Sequence, residues 1–83
     1  MLNLSCNAIE KLEKLDKLTK LRELDVSYNC ISKIEGLESL TSLTHLNLTG
    51  NNISSLPPWL PKKLKSLQVL KLAKNEILSV RVL

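Results

Sequence analysis

One asparagine returns four times along this 83-residue chain, with almost the same neighbours each time. Asn7, Asn29, Asn51 and Asn75 stand 22, 22 and 24 residues apart. The four phrases are LNLSCNAI (2–9), LDVSYNCI (24–31), LNLTGNNI (46–53) and LKLAKNEI (70–77), so an aliphatic pair precedes each asparagine and an isoleucine follows it. A constant period of roughly 20–50 residues marks a chain of stacked units. No unit buries its apolar face alone; neighbours bury it for one another, and stability is close to a sum along the stack. A length that gives an ordinary globule only a marginal core therefore supplies four units with three interfaces between them.

The pattern inside a unit predicts how it is built. Side chains alternate in direction along a strand, so Leu21, Leu24 and Val26 face inward while Glu23, Asp25 and Ser27 face out. Short parallel strands are predicted near residues 2–4, 24–26, 46–48 and 70–72. The asparagine stands where the chain leaves the sheet. A buried turn exposes backbone groups that need partners, and asparagine offers both donors and acceptors. Asn7, Asn29, Asn51 and Asn75 are thus expected to form a structural ladder. Beyond the turn, apolar residues recur every third position: Ile9, Leu12, Leu15 and Leu18, then Ile31, Ile34, Leu37 and Leu40. That spacing suits tight 3₁₀-like turns better than an α-helix of 3.6 residues per turn. The charges between them, from Glu10 to Lys20, read as a solvated convex surface. The predicted fold is an α/β right-handed solenoid forming a single domain over 1–83, with units at about 1–20, 21–42, 43–66 and 67–83.

The third unit departs from the rhythm, being two residues longer, and it holds all three prolines, Pro57, Pro58 and Pro61. A proline is accommodated in the first turn of a helix, so a short helix is expected from about Pro58 to Ser66. Trp59 would cover the wider gap, with Lys62, Lys63 and Lys65 crowded at one end as a second patch.

Charge is divided along the chain. Residues 1–42 carry six basic and seven acidic side chains, whereas residues 43–83 carry six basic ones against Glu76 alone, a net of +5. In register, the outward columns read Met1, Glu23, His45, Val69; then Asn3, Asp25, Asn47, Lys71; then Ser5, Ser27, Thr49, Ala73; then Cys6, Tyr28, Gly50, Lys74. From these, Glu23, Asp25, Tyr28, His45, Asn47 and Lys71 are the candidate contacts for a protein partner on the concave face. Tyr28 is the expected anchor, because aromatic residues are enriched among those that dominate binding energy. The one histidine stands in no nucleophilic triad, the two cysteines have no zinc spacing, and the two glycines form no phosphate loop. No catalytic residue, metal site or cofactor is therefore predicted. Nucleic acid is the weaker alternative partner: the sequence pI is about 9.3, but stacking aromatics are nearly absent and the lysines are split between the two faces.

Cys6 precedes its repeat asparagine and Cys30 follows its own, so the two fall in different columns and are not expected to pair. Unpaired cysteines and the lack of a visible signal sequence lead to an intracellular, cytoplasmic expectation. No run approaches the roughly 20 apolar residues of a membrane span. Met1, Leu2 and Leu4 at one end, and Val80, Val82 and Leu83 at the other, lack polar caps. Marginal stability, self-association through these ends or dependence on a missing neighbour is expected.

The recurrence of strand, asparagine and three-spaced leucines resembles the short, 22-residue class of leucine-rich repeats, and residues 33–37 (KIEGL) are typical of it. Within that class the chain is similar to a regulatory subunit of the type-one protein phosphatase and to axonemal and centrosomal proteins. The stretches EKLDKLTKLREL (13–24), SYNCISKIEGLESL (27–40) and PPWLPKKLKSLQVLKLAKNEI (57–77) look like the N-terminal repeats of the centriolin family, with residues 59–67 the most distinctive. That family joins a leucine-rich module to a long coiled coil and works at the centrosome and in late cytokinesis. The resemblance implies a non-enzymatic interaction scaffold associated with centrosome or cytoskeleton, in a shortened form or fragment without the coil. A phosphatase-regulatory binder, or a ribonucleoprotein component using the basic C-terminal half, is the alternative it leaves.

Overall fold

A computed structural model describes residues 1–77, so the expected uncapped end at Val80, Val82 and Leu83 lies outside the described residues. Strands β1 (Leu2–Asn3), β2 (Glu23–Asp25), β3 (His45–Asn47) and β4 (Val69–Lys71) form one sheet in chain order, every neighbouring pair parallel. The register places Leu2, Leu24, Leu46 and Leu70 side by side. β2, β3 and β4 each begin one residue before the predicted start, because the leucine rhythm marks which side chains point inward and not where pairing begins. The amides of Thr44 and His45 both donate to the Arg22 carbonyl, which opens the β2–β3 ladder ahead of the first inward leucine of β3. The inward assignment itself holds: Leu24, Val26, Leu46 and Leu48 are all buried. Burial of a leucine of this kind contributes about 1.5–3 kcal/mol.

Past each strand the backbone turns sharply. Cys6, Tyr28, Gly50 and Lys74, each just before the repeat asparagine, have φ of 58°, 56°, 73° and 56°. Three of these are not glycine, and a left-handed residue with a Cβ costs roughly 1–2 kcal/mol. The asparagines hold the strained turn. Asn29 is buried; its side-chain amide donates to the carbonyls of Leu4, Val26 and Ser27, and its Oδ1 accepts from the amides of Asn7 and Ile9. Asn51 repeats the arrangement with the Val26, Leu48 and Thr49 carbonyls and the Ile31 amide. Asn75 does so with the Leu48, Leu72 and Ala73 carbonyls and the Ile53 amide. Asn7, at the end of the ladder, is exposed, and its side-chain amide donates only within its own unit, to the Leu4 and Ser5 carbonyls.

The convex side follows the three-residue spacing through separate turns. Leu18 and Leu21 donate to the carbonyls three residues back, and so do Leu40, Leu43 and Leu67. Two expectations fail here. Leu18 is 39% exposed, whereas Leu40, one unit later, is fully buried, because the first coil is covered on one flank only. Ser27, expected to face out, is only 5% exposed. The chain is already bending towards Tyr28, strand alternation is lost, and the Ser27 hydroxyl donates to Asp25 at 2.6 Å.

A second left-handed column contains Lys14 and Gly36, with φ of 62° and 74°. A Cβ on Gly36 would lie 2.4 Å from the Leu12 carbonyl oxygen, so only glycine permits this approach of coil two to coil one. One period further on stands Pro58, whose ring fixes φ near −65° and forbids the same turn. The two extra residues of the third unit rebuild the route, through a turn at Pro58–Trp59 into α1 (Leu60–Lys63). This helix is four residues long, shorter than expected, with Pro61 in its first turn and Lys62 and Lys63 in its last. Leu64 ends it at φ −94°, and Leu60 and Leu64 are buried in the core. Trp59 packs against the core beside them, partly buried, in the covering position expected of it.

These contacts predict unequal costs for equivalent substitutions. Asn51→Ala orphans the buried Ile31 amide and removes a donor from three carbonyls, a loss of roughly 2–4 kcal/mol; Asn7→Ala should cost less than about 1 kcal/mol. Urea unfolding of the two variants measures the difference. Gly36→Ala should destabilise the fold, whereas Lys14→Gly should be neutral or stabilise it by up to about 1 kcal/mol through relief of the left-handed strain; thermal unfolding checks both.

Candidate functional site

The sheet register decides which candidate side chains meet. Glu23 lies opposite His45, which lies opposite Val69, and Asp25, Asn47 and Lys71 follow in the next column. Together with Met1 they line one shallow concavity over β2, β3 and β4. Glu23, His45 and Lys71 are exposed. The imidazole Nδ1 of His45 lies 2.9 Å from the Thr44 hydroxyl.

Asp25 and Asn47 are already engaged. Asp25 Oδ1 accepts from the Ser27 amide at 3.0 Å and from the Ser27 hydroxyl, and Asn47 Oδ1 accepts from the Thr49 amide at 3.1 Å. Asn3 does the same for Ser5. This recurring side-chain turn closes the end of each strand, so these two candidates are partly buried supports of the face. The sequence signal for it, an Asx two residues before a serine or threonine, was present in three units.

Tyr28 lies just beyond the strand, 49% exposed. Its ring lies across Gly50, where a Cβ would come within 2.5 Å of the ring edge. Lys74 Nζ stands 5.9 Å from the ring centroid, within cation–π range. The glycine is the reason the ring lies flat, and Lys74 joins the site although sequence reasoning had not chosen it. Cys6 and Cys30 are exposed free thiols; Cys6 belongs to the Tyr28 column, while the Cys30 amide donates to the Ile9 carbonyl elsewhere.

The second predicted patch lies on and beside α1, where the amides of Lys62 and Lys63 donate to the Trp59 carbonyl. Trp59 and Pro57 line a separate groove with Ser32–Glu35 and Ser54–Ser55, and Lys62, Lys63 and Lys65 are exposed but do not line it. Lys62 and Lys63 stand in the last helical turn, where positive charge meets the carbonyl end of the peptide dipoles.

A stacked parallel sheet with an open concavity lined by both polar and apolar side chains defines a repeat scaffold whose exposed face is set by strand register. The chain belongs to the leucine-rich repeat family: the family model for the leucine rich repeat matches residues 1–53, and the model for two copies of the repeat matches residues 41–83. Domains of this family generally mediate protein–protein interaction and are typically non-enzymatic. Among solved structures, an internalin from Listeria monocytogenes is similar at 28% identity, with a TM-score of 0.77 over 89% of this chain. The chain spans 21% of that protein. No curated protein sequence matches significantly.

If Asp25 supports the turn while Glu23 is free on the surface, their truncations should separate. Asp25→Ala should cost about 0.5–2 kcal/mol, as loss of a capping side chain does, and Glu23→Ala should stay within about 0.5 kcal/mol. Chemical denaturation of both variants tests the distinction.

Proposed function

We propose that this chain is a non-enzymatic scaffold module that binds a protein partner on its concave face, through Glu23, His45, Lys71 and Tyr28. The observation that carries the reading is the register itself. It lines up exposed Glu23 and His45 in one column and brings exposed Lys71 beside them, on a rigid sheet bordered by a large exposed aromatic side chain. Rigid presentation keeps the ordering cost of association low, and a face running from acidic Glu23 to basic Lys71 selects partners by electrostatic fit. Asp25 and Asn47 hold that face in shape.

The setting proposed for this module is cytoplasmic, at the centrosome or associated cytoskeleton. The similarity of residues 13–24, 27–40 and 57–77 to the N-terminal repeats of the centriolin family supports it. Self-association belongs to the same proposal: Met1 is 74% exposed, and Leu2 and Leu4 are only partly buried at the β1 edge.

The direct test is affinity capture with the 83-residue chain as bait, wild type against a Glu23→Lys and Tyr28→Ala double variant of unchanged thermal stability. Selective loss of partners from the variant is the expected result. An identical partner set would remove the concave face from the binding role.

A further inference from the structure

The fourth unit breaks the capping pattern of the other three, and the break leaves a place for a ligand oxygen. In the first three units a side-chain oxygen of Asn3, Asp25 or Asn47 accepts the amide two residues on, at Ser5, Ser27 or Thr49. The register puts Lys71 in that column, and Ala73 follows it. Neither side chain carries an oxygen, and the Ala73 amide makes no hydrogen bond among the described residues. Ala73 is exposed, and so are Lys71 and Lys74 on either side of it. An unpartnered backbone donor on an exposed residue flanked by two exposed lysines, at a position built elsewhere in the fold to hold a carboxylate or amide oxygen, is complementary to an anion.

The neighbouring acids do not occupy it. Asp25 is two strands away in the register, roughly 10 Å at the usual strand spacing, and its Oδ1 is taken by Ser27. Lys74 approaches the Tyr28 ring face, which holds it near the same corner. Residues 43–83 carry six basic side chains against Glu76, so the long-range field also favours an acidic ligand.

We propose that the corner made by the Ala73 amide, Lys71 and Lys74, beside the Tyr28 ring, receives an Asp or Glu carboxylate from an extended acidic segment of a protein partner. It rests on the reading of the concave face as the protein-binding face and names the chemistry of that partner. The incoming carboxylate takes the position that Asp25 Oδ1 holds in the second unit. One of its oxygens accepts the Ala73 N–H, and the ammonium groups neutralise its charge.

The test uses fluorescence anisotropy of the 83-residue chain with a fluorescein-labelled peptide of alternating glutamate and glycine, and with its glutamine counterpart. The glutamate peptide should bind about tenfold more tightly or better, a difference of about 1.4 kcal/mol, and its affinity should fall with added salt. Lys71→Asn restores the oxygen found in the other units, so it should hold or raise thermal stability while weakening glutamate-peptide binding about tenfold. Lys71→Met removes the charge without refilling the position and should weaken binding less. Equal binding of the two peptides, no binding of either, or undiminished binding to Lys71→Asn would overturn the proposal. Displacement of the peptide by equimolar inorganic phosphate would overturn the carboxylate assignment in favour of a phosphate ligand. If the glutamate peptide fails while Glu23→Lys with Tyr28→Ala still abolishes partner capture, only the acidic-ligand assignment falls.

Discussion

The structure depends on a side-chain amide doing the hydrogen bonding that a sharp backbone turn cannot do for itself. Each coil leaves the sheet through a left-handed residue, and the carbonyls and amides around that residue are turned towards the interior. The asparagine of the next coil meets them. Asn51 Nδ2 reaches the Val26 carbonyl of the preceding unit as well as Leu48 of its own, and Asn51 Oδ1 takes the Ile31 amide. Ile31 is further tied through its carbonyl, which accepts from the Asn52 amide, and Ile53 is held the same way by Asn75 and Glu76. Both isoleucines are fully buried, so polar satisfaction and apolar packing act on the same residues. No buried side-chain polar atom is left without a partner among the described residues.

This linkage explains why only some positions are free for binding. The outward column of Asn3, Asp25 and Asn47 looks like a polar surface, yet each of these side chains closes the turn of its own unit. The exposed remainder is Glu23 and His45 in one column, Lys71 where the cap is missing, and Tyr28 and Lys74 beyond the strand ends, with the half-buried Gly50 beneath the Tyr28 ring. The acidic and basic parts of the face therefore come from different units, and the rigid stack fixes their separation.

Much of the fold was legible because the repeat states it four times. The inward leucines, the asparagine ladder and the tight convex turns all follow from spacing. What was not legible concerns places where one unit differs from the others or where alternation ends. Ser27 fits an outward strand position by parity, but the bend into Tyr28 cancels parity and buries it. Leu18 fits the core rhythm, but its exposure depends on whether a coil lies on each flank, which periodicity does not encode. The helix of the third unit was expected from its prolines, but its end comes early, where Leu64 leaves helical geometry at φ −94° and ψ 63°, a departure that no residue pattern marks. At the site, Tyr28 was readable as a large aromatic; its seat on Gly50 depends on two residues that only the 22-residue register brings together.

Amide hydrogen exchange, residue by residue, tests the central claim most directly. If the asparagine ladder couples the coils, the amides of Ile31 and Ile53, which donate to Asn51 and Asn75, should be among the slowest to exchange. Asn51→Ala should then speed exchange at Ile31, and also at Asn52, whose amide donates to the Ile31 carbonyl, well before Ile9 responds. Exchange at Ile31 as fast as at the exposed end of the ladder, or unchanged by Asn51→Ala, would contradict the account and shift the origin of the stack's stability to leucine packing alone.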